Sequence, residues 1–181
     1  MKNNILGKAL SLSFVFIGAT ILPALGADQP AKPNRPAIYD TKADGRKQIT
    51  EALTIAKRDR KNVLLQFGAN WCGWCHKLHN LFQSNKDIAA FLKSNYVVVL
   101  IDVDKVEGKQ HNADIDERYG NPSRFGLPAL VVLDAEGKQL TTQDSGKLEE
   151  GDHHDPAKVL AFLKQWSPAS KGEKPLPQKS R

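Results

Sequence analysis

The chain reads as an α/β domain, a central mixed β-sheet flanked by helices on both faces. Two apolar runs, Val63–Phe67 and Tyr96–Asp104, are separated by a stretch with helical spacing, which implies a strand–helix–strand crossover between parallel strands. The second run is dense in β-branched residues and apolar on both sides, as strands buried between two helical layers are. A third run, Ala129–Leu133, ends in Asp134-Ala135-Glu136-Gly137 and returns through Lys138–Thr142, a hairpin that makes the sheet mixed.

The elements follow in order. Residues 1–26 have the form of a signal peptide: Lys2 and Lys8 at a basic start, the apolar stretch Ala9–Leu22, and small residues allowing cleavage after Gly26 or Ala27. That stretch is short for a membrane span and runs at once into Pro23 and Asp28, so no stable membrane insertion is expected after its removal; a retained N-terminal anchor is the alternative. No cysteine follows it to carry a lipid. Residues 27–43, with Pro30, Pro33 and Pro36, read as an extended leader in which Ile38-Tyr39 can pack locally. The domain proper covers 44–166. Asp44 caps a helix to about Arg58 with Ile49, Ala52, Leu53 and Ala56 on its apolar stripe. After Val63–Phe67, Gly68-Ala69-Asn70 breaks the strand and a helix starts near Cys72, with Leu78, Leu81 and Phe82 on its buried side. Asn85-Lys86-Asp87 interrupts it before a further helical run, Ile88–Lys93. Lys105–Arg124 is long and polar, with a short helix expected at Asp114–Tyr119. Glu149–Asp155 reads as a polar loop, Asp155-Pro156 as the cap and first residue of a final helix, and 167–181 as a disordered basic tail.

Length and charge exclude several classes. With 181 residues there is room for one domain with a real core. The net charge of +6 is scattered and weighted to the tail, with no basic stripe carrying interleaved aromatics, so no nucleic-acid partner is expected. The two cysteines, Cys72 and Cys75, exclude a four-cysteine zinc site in one chain. As a staple across so short a ring they would contribute only about 2 kcal/mol. Chemistry explains them better.

A cysteine at the first turn of a helix faces unpaired backbone N–H groups and the positive end of the helix dipole, both of which favour thiolate over thiol. Cys72 is therefore the nucleophile. Cys75, one turn down on the same face, is placed to attack a mixed disulfide at Cys72 and release the product.

Trp71-Cys72-Gly73-Trp74-Cys75 after an apolar strand resembles the active site of the thioredoxin superfamily. The element order from 44 to 166, and the Leu127-Pro128 that opens a later strand, extend the resemblance. It implies a thioredoxin fold and a thiol-disulfide oxidoreductase. It further implies a cis Leu127–Pro128 bond beside the dithiol, with Leu127 offering its main-chain N–H and C=O groups to an extended substrate. Trp71 would shield the thiols, and Gly73-Trp74 would occupy the variable dipeptide that tunes the redox balance, where about 30 mV corresponds to about 1.4 kcal/mol. The predicted site is Cys72 and Cys75 as catalytic residues, with Trp71, Gly73, Trp74, Leu127 and Pro128 binding substrate. No cofactor beyond a redox-active Cys72–Cys75 disulfide is expected, and no metal. Partners would be protein or peptide thiols and disulfides, together with an upstream redox partner, acting on a monomer. Gln66 departs from the family pattern, which has a buried aspartate there that takes a proton from the second cysteine; water, His76 or a slower resolving step must compensate. FGANWCGWC and the 105–124 insertion are similar to exported members related to the periplasmic domain of the transmembrane disulfide reductase. The expected location is therefore the periplasm, or secretion beyond it, with a reducing role.

Three other readings compete. One is a thioredoxin-like binding module without turnover. A second follows from Cys72-x-x-Cys75-His76, which fits c-type haem attachment. Against it stand the lack of any Met besides Met1, the flanking strand signals and an otherwise unexplained Leu127-Pro128. The third is a metal held by Cys72, Cys75, His76 and His79, with His153-His154 as further candidates; the first four would strain a tetrahedral site, since they fall within eight residues at one helix start.

Overall fold

The computed structural model describes residues 35–168, so the expected signal peptide, residues 27–34 of the leader and residues 169–181 of the tail lie outside the described residues. Helix α1, Gly45–Asp59, begins at Asp44, whose carboxylate accepts from the N–H groups of Arg46 and Lys47, and it ends at Arg60 in the left-handed region. Strand β1, Asn62–Gly68, is buried along its whole length. Helix α2, Gly73–Ser84, follows, and Asn85 then caps α3, Lys86–Asn95, by accepting from Asp87 and Ile88. Strand β2, Tyr96–Asp102, runs parallel to β1 in the register Val63 opposite Val97. Strand β5, Ala129–Leu133, pairs antiparallel with β1 and with β6, Gln139–Asp144. The sheet order is β2-β1-β5-β6, which is mixed as expected.

Alternation along the buried strands sorts the core into two layers. Val63, Leu65, Phe67, Ile101 and Val131 pack against Ile49, Ala52 and Ala56 of α1 and against Ile115. Leu64, Leu130 and Val132 face the opposite way, toward Leu78 and Phe82 of α2, Ile88 and Leu92 of α3, and Val159, Phe162 and Leu163 of α5, Pro156–Gln165. Gln66 shares this second face, which brings it under α2. Asp155 caps α5 with Pro156 at its first turn.

The 105–124 insertion is more ordered than its polarity suggests. It folds as a small hairpin, β3 Lys105–Val106 with β4 Lys109–Gln110, then α4, Ala113–Arg118, and a 3-10 turn at Pro122–Phe125. Buried Asp116 organises it, accepting from the Ser123 N–H at 3.1 Å, the Ser123 hydroxyl at 2.5 Å and Gln110 Nε2 at 3.0 Å. Asn112 ties it to the domain, accepting from Gly45 N–H at 2.8 Å and donating to the Asp102 carbonyl at 3.0 Å.

One reading is corrected. Glu149–Asp155 is a hairpin rather than a plain polar loop: β7, Glu149–Glu150, pairs with β8, His153–His154, and the His154 side chain is buried. The charged residues that suggested a loop lie on its outside, where Lys158 Nζ reaches the Glu149 carbonyl at 2.9 Å and Glu150 at 2.5 Å. Among the described residues no helix is long and apolar enough to cross a membrane.

The Asn85 cap gives a test of how α2 and α3 are separated. Asn85→Ala leaves two helix N–H groups unpaired and should lower stability by about 1 kcal/mol, whereas Asn85→Gly should cost only a few tenths; urea unfolding of both variants measures the difference.

Candidate active site

Strand β1 ends at Gly68, whose carbonyl still accepts from the Val103 N–H at 2.9 Å, and Ala69-Asn70-Trp71 turns the chain into α2. Cys72 is the N-cap of that helix: its sulfur accepts from the Cys75 N–H at 3.1 Å, meeting a donor that the helix cannot pair internally. A thiolate there would gain both this hydrogen bond and the helix dipole. Cys72 and Cys75 form a disulfide in this structure, 4% and 0% exposed respectively, so Cys72 is the sulfur nearer solvent.

The Leu127–Pro128 peptide bond is cis, and Leu127 lies over the dithiol with its carbonyl oxygen 3.5 Å from Cys72 Sγ. Leu127 also packs against the cluster formed by Tyr39, Cys72 and Cys75, as do Ile38, Trp74 and Leu100. Trp71 is 56% exposed, and its indole N–H donates to Asp104 Oδ1 at 2.7 Å. A groove of about 430 Å³ is lined by Trp71 and Leu127 together with Val103–Lys105, Gln110 and Ser123–Arg124. Gly73 leaves room for the Arg35 guanidinium, which would lie 3.4 Å from a Cβ at that position. Trp74 stands edge-on to the His154 ring, with centroids 5.3 Å apart, and Lys77 Nζ lies 4.3 Å from the centre of its ring.

Several of these groups are not marked by the motif. Asn70 binds the segment before α1: its Oδ1 accepts from the N–H groups of Ile38 at 2.8 Å and Tyr39 at 2.9 Å, and its Nδ2 donates to the Tyr39 carbonyl at 2.9 Å. Tyr39 is thereby buried against the cysteines. Its hydroxyl accepts from Gln66 Nε2 at 2.7 Å, so Gln66 occupies its strand position with its amide nitrogen on a phenol and its buried Oε1 unpaired among the described residues. His76 is bonded elsewhere: its Nε2–H donates to the Asn70 carbonyl at 2.8 Å, which makes it a strut for the loop. His79 is further along α2, its pKa lowered by burial and by neighbouring His76. Among the described residues no group of three or more His, Cys, Asp or Glu side chains is placed to hold a metal ion.

His154 lies under Trp74 with neither ring nitrogen hydrogen-bonded among the described residues, and its Nε2 is 4.0 Å from Glu149 Oε1. Burial, then the charges of Lys77 and His153, lower its pKa from 6.5 to about 4. In the unfolded chain the imidazole takes up its proton near pH 6.5, while the folded protein resists until about pH 4. The unfolded state therefore binds more protons in this window, and stability is lost as the pH falls through it. His154→Phe keeps an aromatic ring beside Trp74 and should remove up to about 3 kcal/mol of that acid sensitivity. Chemical unfolding of both proteins at intervals from pH 7 to pH 4 reads the difference directly.

The family model described as thioredoxin-like matches residues 44–135. Disulfide bond reductase DsbH of Chlamydia pneumoniae is 33% identical over 96 residues, which cover 50% of this chain and 56% of that protein. Thiol:disulfide interchange protein DsbD of Ralstonia nicotianae is 26% identical over 156 residues, 78% of this chain and 25% of that one. Among solved structures, the disulphide isomerase of Xylella fastidiosa Temecula1 superposes with a TM-score of 0.63 at 32% identity, over 72% of this chain and 96% of that chain. The chain spans little more than half the length of the Chlamydia relative and a quarter of the Ralstonia one. With the family model matched across half the sequence, and a solved relative covered almost end to end, the chain belongs to the thioredoxin-like family of the thioredoxin superfamily of thiol-disulfide oxidoreductases.

Proposed function

We propose that the protein is exported and reduces disulfides in protein or peptide clients through Cys72 and Cys75. The observation that carries this reading is the position of Cys72, held at a helix N-terminus by the Cys75 N–H, nearer solvent than its partner and directly beneath Leu127. In the reduced protein the Cys72 thiolate attacks a client disulfide, forming a Cys72–client disulfide and releasing the first client thiolate. Cys75 then attacks Cys72 Sγ, closes the disulfide present in this structure and releases the second client thiolate. The client gains two electrons and the protein loses two, so an upstream dithiol partner must restore it.

Client recognition follows from the same geometry. An extended peptide can pair with the main-chain groups of Leu127 beside Pro128, with Trp71 and Trp74 flanking Gly73 on either side of the sulfurs. The groove beyond Trp71 accommodates the residues next to the client cysteine. Such a site needs one copy of the chain, and we assign the working form as a monomer without cofactor or metal. The basic, then apolar start of the sequence supports export to the periplasm, with 1–26 removed. The name of the Chlamydia relative, a disulfide bond reductase, supports the reducing direction, as does a dipeptide without histidine.

Insulin reduction by the full-length chain tests the assignment. Cys72→Ser should abolish turnover, and Cys75→Ser should trap the client as a stable mixed disulfide visible on a non-reducing gel. Equilibration with glutathione should give a potential of about −200 mV or lower, the range of reductants; a value near about −120 mV would mark an oxidant instead. A binding module without turnover would show neither trapping nor loss of activity.

A further inference from the structure

Cys75 has no carboxylate on the β1 side to handle its charge, and the polar group packed there comes from outside the matched segment. A Cβ built on Gly68 would lie 2.7 Å from Cys75 Sγ and would collide with the Tyr39 hydroxyl oxygen. The hydroxyl and the sulfur therefore both crowd the position a Cβ would take, an approach that only glycine at residue 68 permits. The donor and acceptor roles in this corner are fixed by Gln66. Its Nε2 lies 2.7 Å from the Tyr39 hydroxyl and 3.4 Å from the Cys75 carbonyl. The Cys75 carbonyl can only accept, and the amide turns its nitrogen to it, with Gln66 Oε1 left unpaired among the described residues. Tyr39 is then the acceptor from Gln66 and keeps its own proton, for which the described residues supply no oxygen or nitrogen acceptor. In the disulfide form that proton is not hydrogen-bonded to sulfur.

We propose that, once the disulfide opens, the Tyr39 hydroxyl donates a hydrogen bond to Cys75 Sγ and holds it as the thiolate that resolves mixed disulfides. The proton lost by Cys75 goes to water. The thiolate attacks Cys72 Sγ, the Cys72–Cys75 bond forms, the Cys72–client bond breaks, and the client leaves as a thiolate. Tyr39 gives up no proton in this step. It is suited to that part because burial, with a further push from Asp102 and against the Gln66 hydrogen bond, raises its pKa well above the ordinary phenol value. The groups around the pair are consistent with this role. His76 is bonded to the Asn70 carbonyl, Asp102 is paired with His111 Nδ1 at 2.8 Å, and Gln66 is uncharged. Asn70, accepting from the Ile38 and Tyr39 N–H groups and donating to the Tyr39 carbonyl, fixes this backbone, so the hydroxyl is positioned in advance.

The inference rests on Cys75 as the resolving thiol, and the test separates the two. In full-length Cys72→Ala the sole thiol is Cys75, whose ionisation is followed by thiolate ultraviolet absorbance, with no client present. Tyr39→Phe in that background should raise the Cys75 pKa by about one unit or more, at least a tenfold loss in ionisation constant, as expected for losing a hydrogen bond to a charged group. Placing 3-fluorotyrosine at position 39, a more acidic phenol of nearly the same shape, should move it the other way, and this arm stands if the phenylalanine variant fails to fold. In the protein with both cysteines, Tyr39→Phe should slow release of thionitrobenzoate from a Cys72 mixed disulfide about tenfold at neutral pH, with the rate recovering above the raised pKa. A Cys75 pKa unmoved by either replacement, or slowing by one constant factor at every pH, overturns the inference. Failure of the resolving assignment shows separately, as full insulin turnover by Cys75→Ser.

Discussion

A strand buried along its whole length stops at Gly68 and the backbone restarts as a helix at Gly73, leaving Cys72 where a side chain must answer unpaired amide groups. A sulfur in that place does what a serine or aspartate cap does elsewhere, and it does so better as an anion. The remaining architecture serves that junction. Parallel β2 and antiparallel β5 hold β1 from both sides, α2 is pressed on the sheet by Leu78 and Phe82, and β5 begins immediately after the Leu127–Pro128 turn that covers the sulfurs.

Surrounding side chains divide the work around the two cysteines. Leu127 and Trp74 pack against the cluster of Tyr39 and the two cysteines, and Gln66 bonds the Tyr39 hydroxyl. Asn70 spends its side chain on Ile38 and Tyr39, and His76 spends its ring nitrogen on the loop, which leaves the sulfurs no competing side-chain donor from either residue. Asp104, just before the 105–124 insertion, accepts from the Trp71 indole, and the insertion itself lines the groove through Lys105, Gln110, Ser123 and Arg124.

Most of the framework was legible because it depends on local signals. Apolar periodicity located β1, β2, β5 and four of the helices, Asp44 and Asp155 marked their caps, and Leu127, before the cis Pro128, packs with Cys72 and Cys75. What was not legible depends on distant partners. Tyr39 sits in a proline-rich stretch with no periodicity, and its burial is decided by Asn70, 31 positions away. His154 lies in a run of charges whose polarity hid a strand with one inward side chain. Gln66 could be recognised as a departure, but its phenol partner could not be named without the fold. His76 suggested help for Cys75 by adjacency alone, while helical geometry sends its ring to the loop instead.

The hold of Asn70 on Ile38 and Tyr39 bears on where this protein can be cut. A fragment trimmed to begin at residue 44, where the family match starts, would keep every strand of the central sheet, every described helix and both sulfurs. It would lose the aromatic plug beneath Cys75, strand the Gln66 amide and open the floor of the cysteine pocket to water. The structural unit around the cysteines therefore begins several residues upstream of the matched segment, within the stretch whose prolines read as a leader.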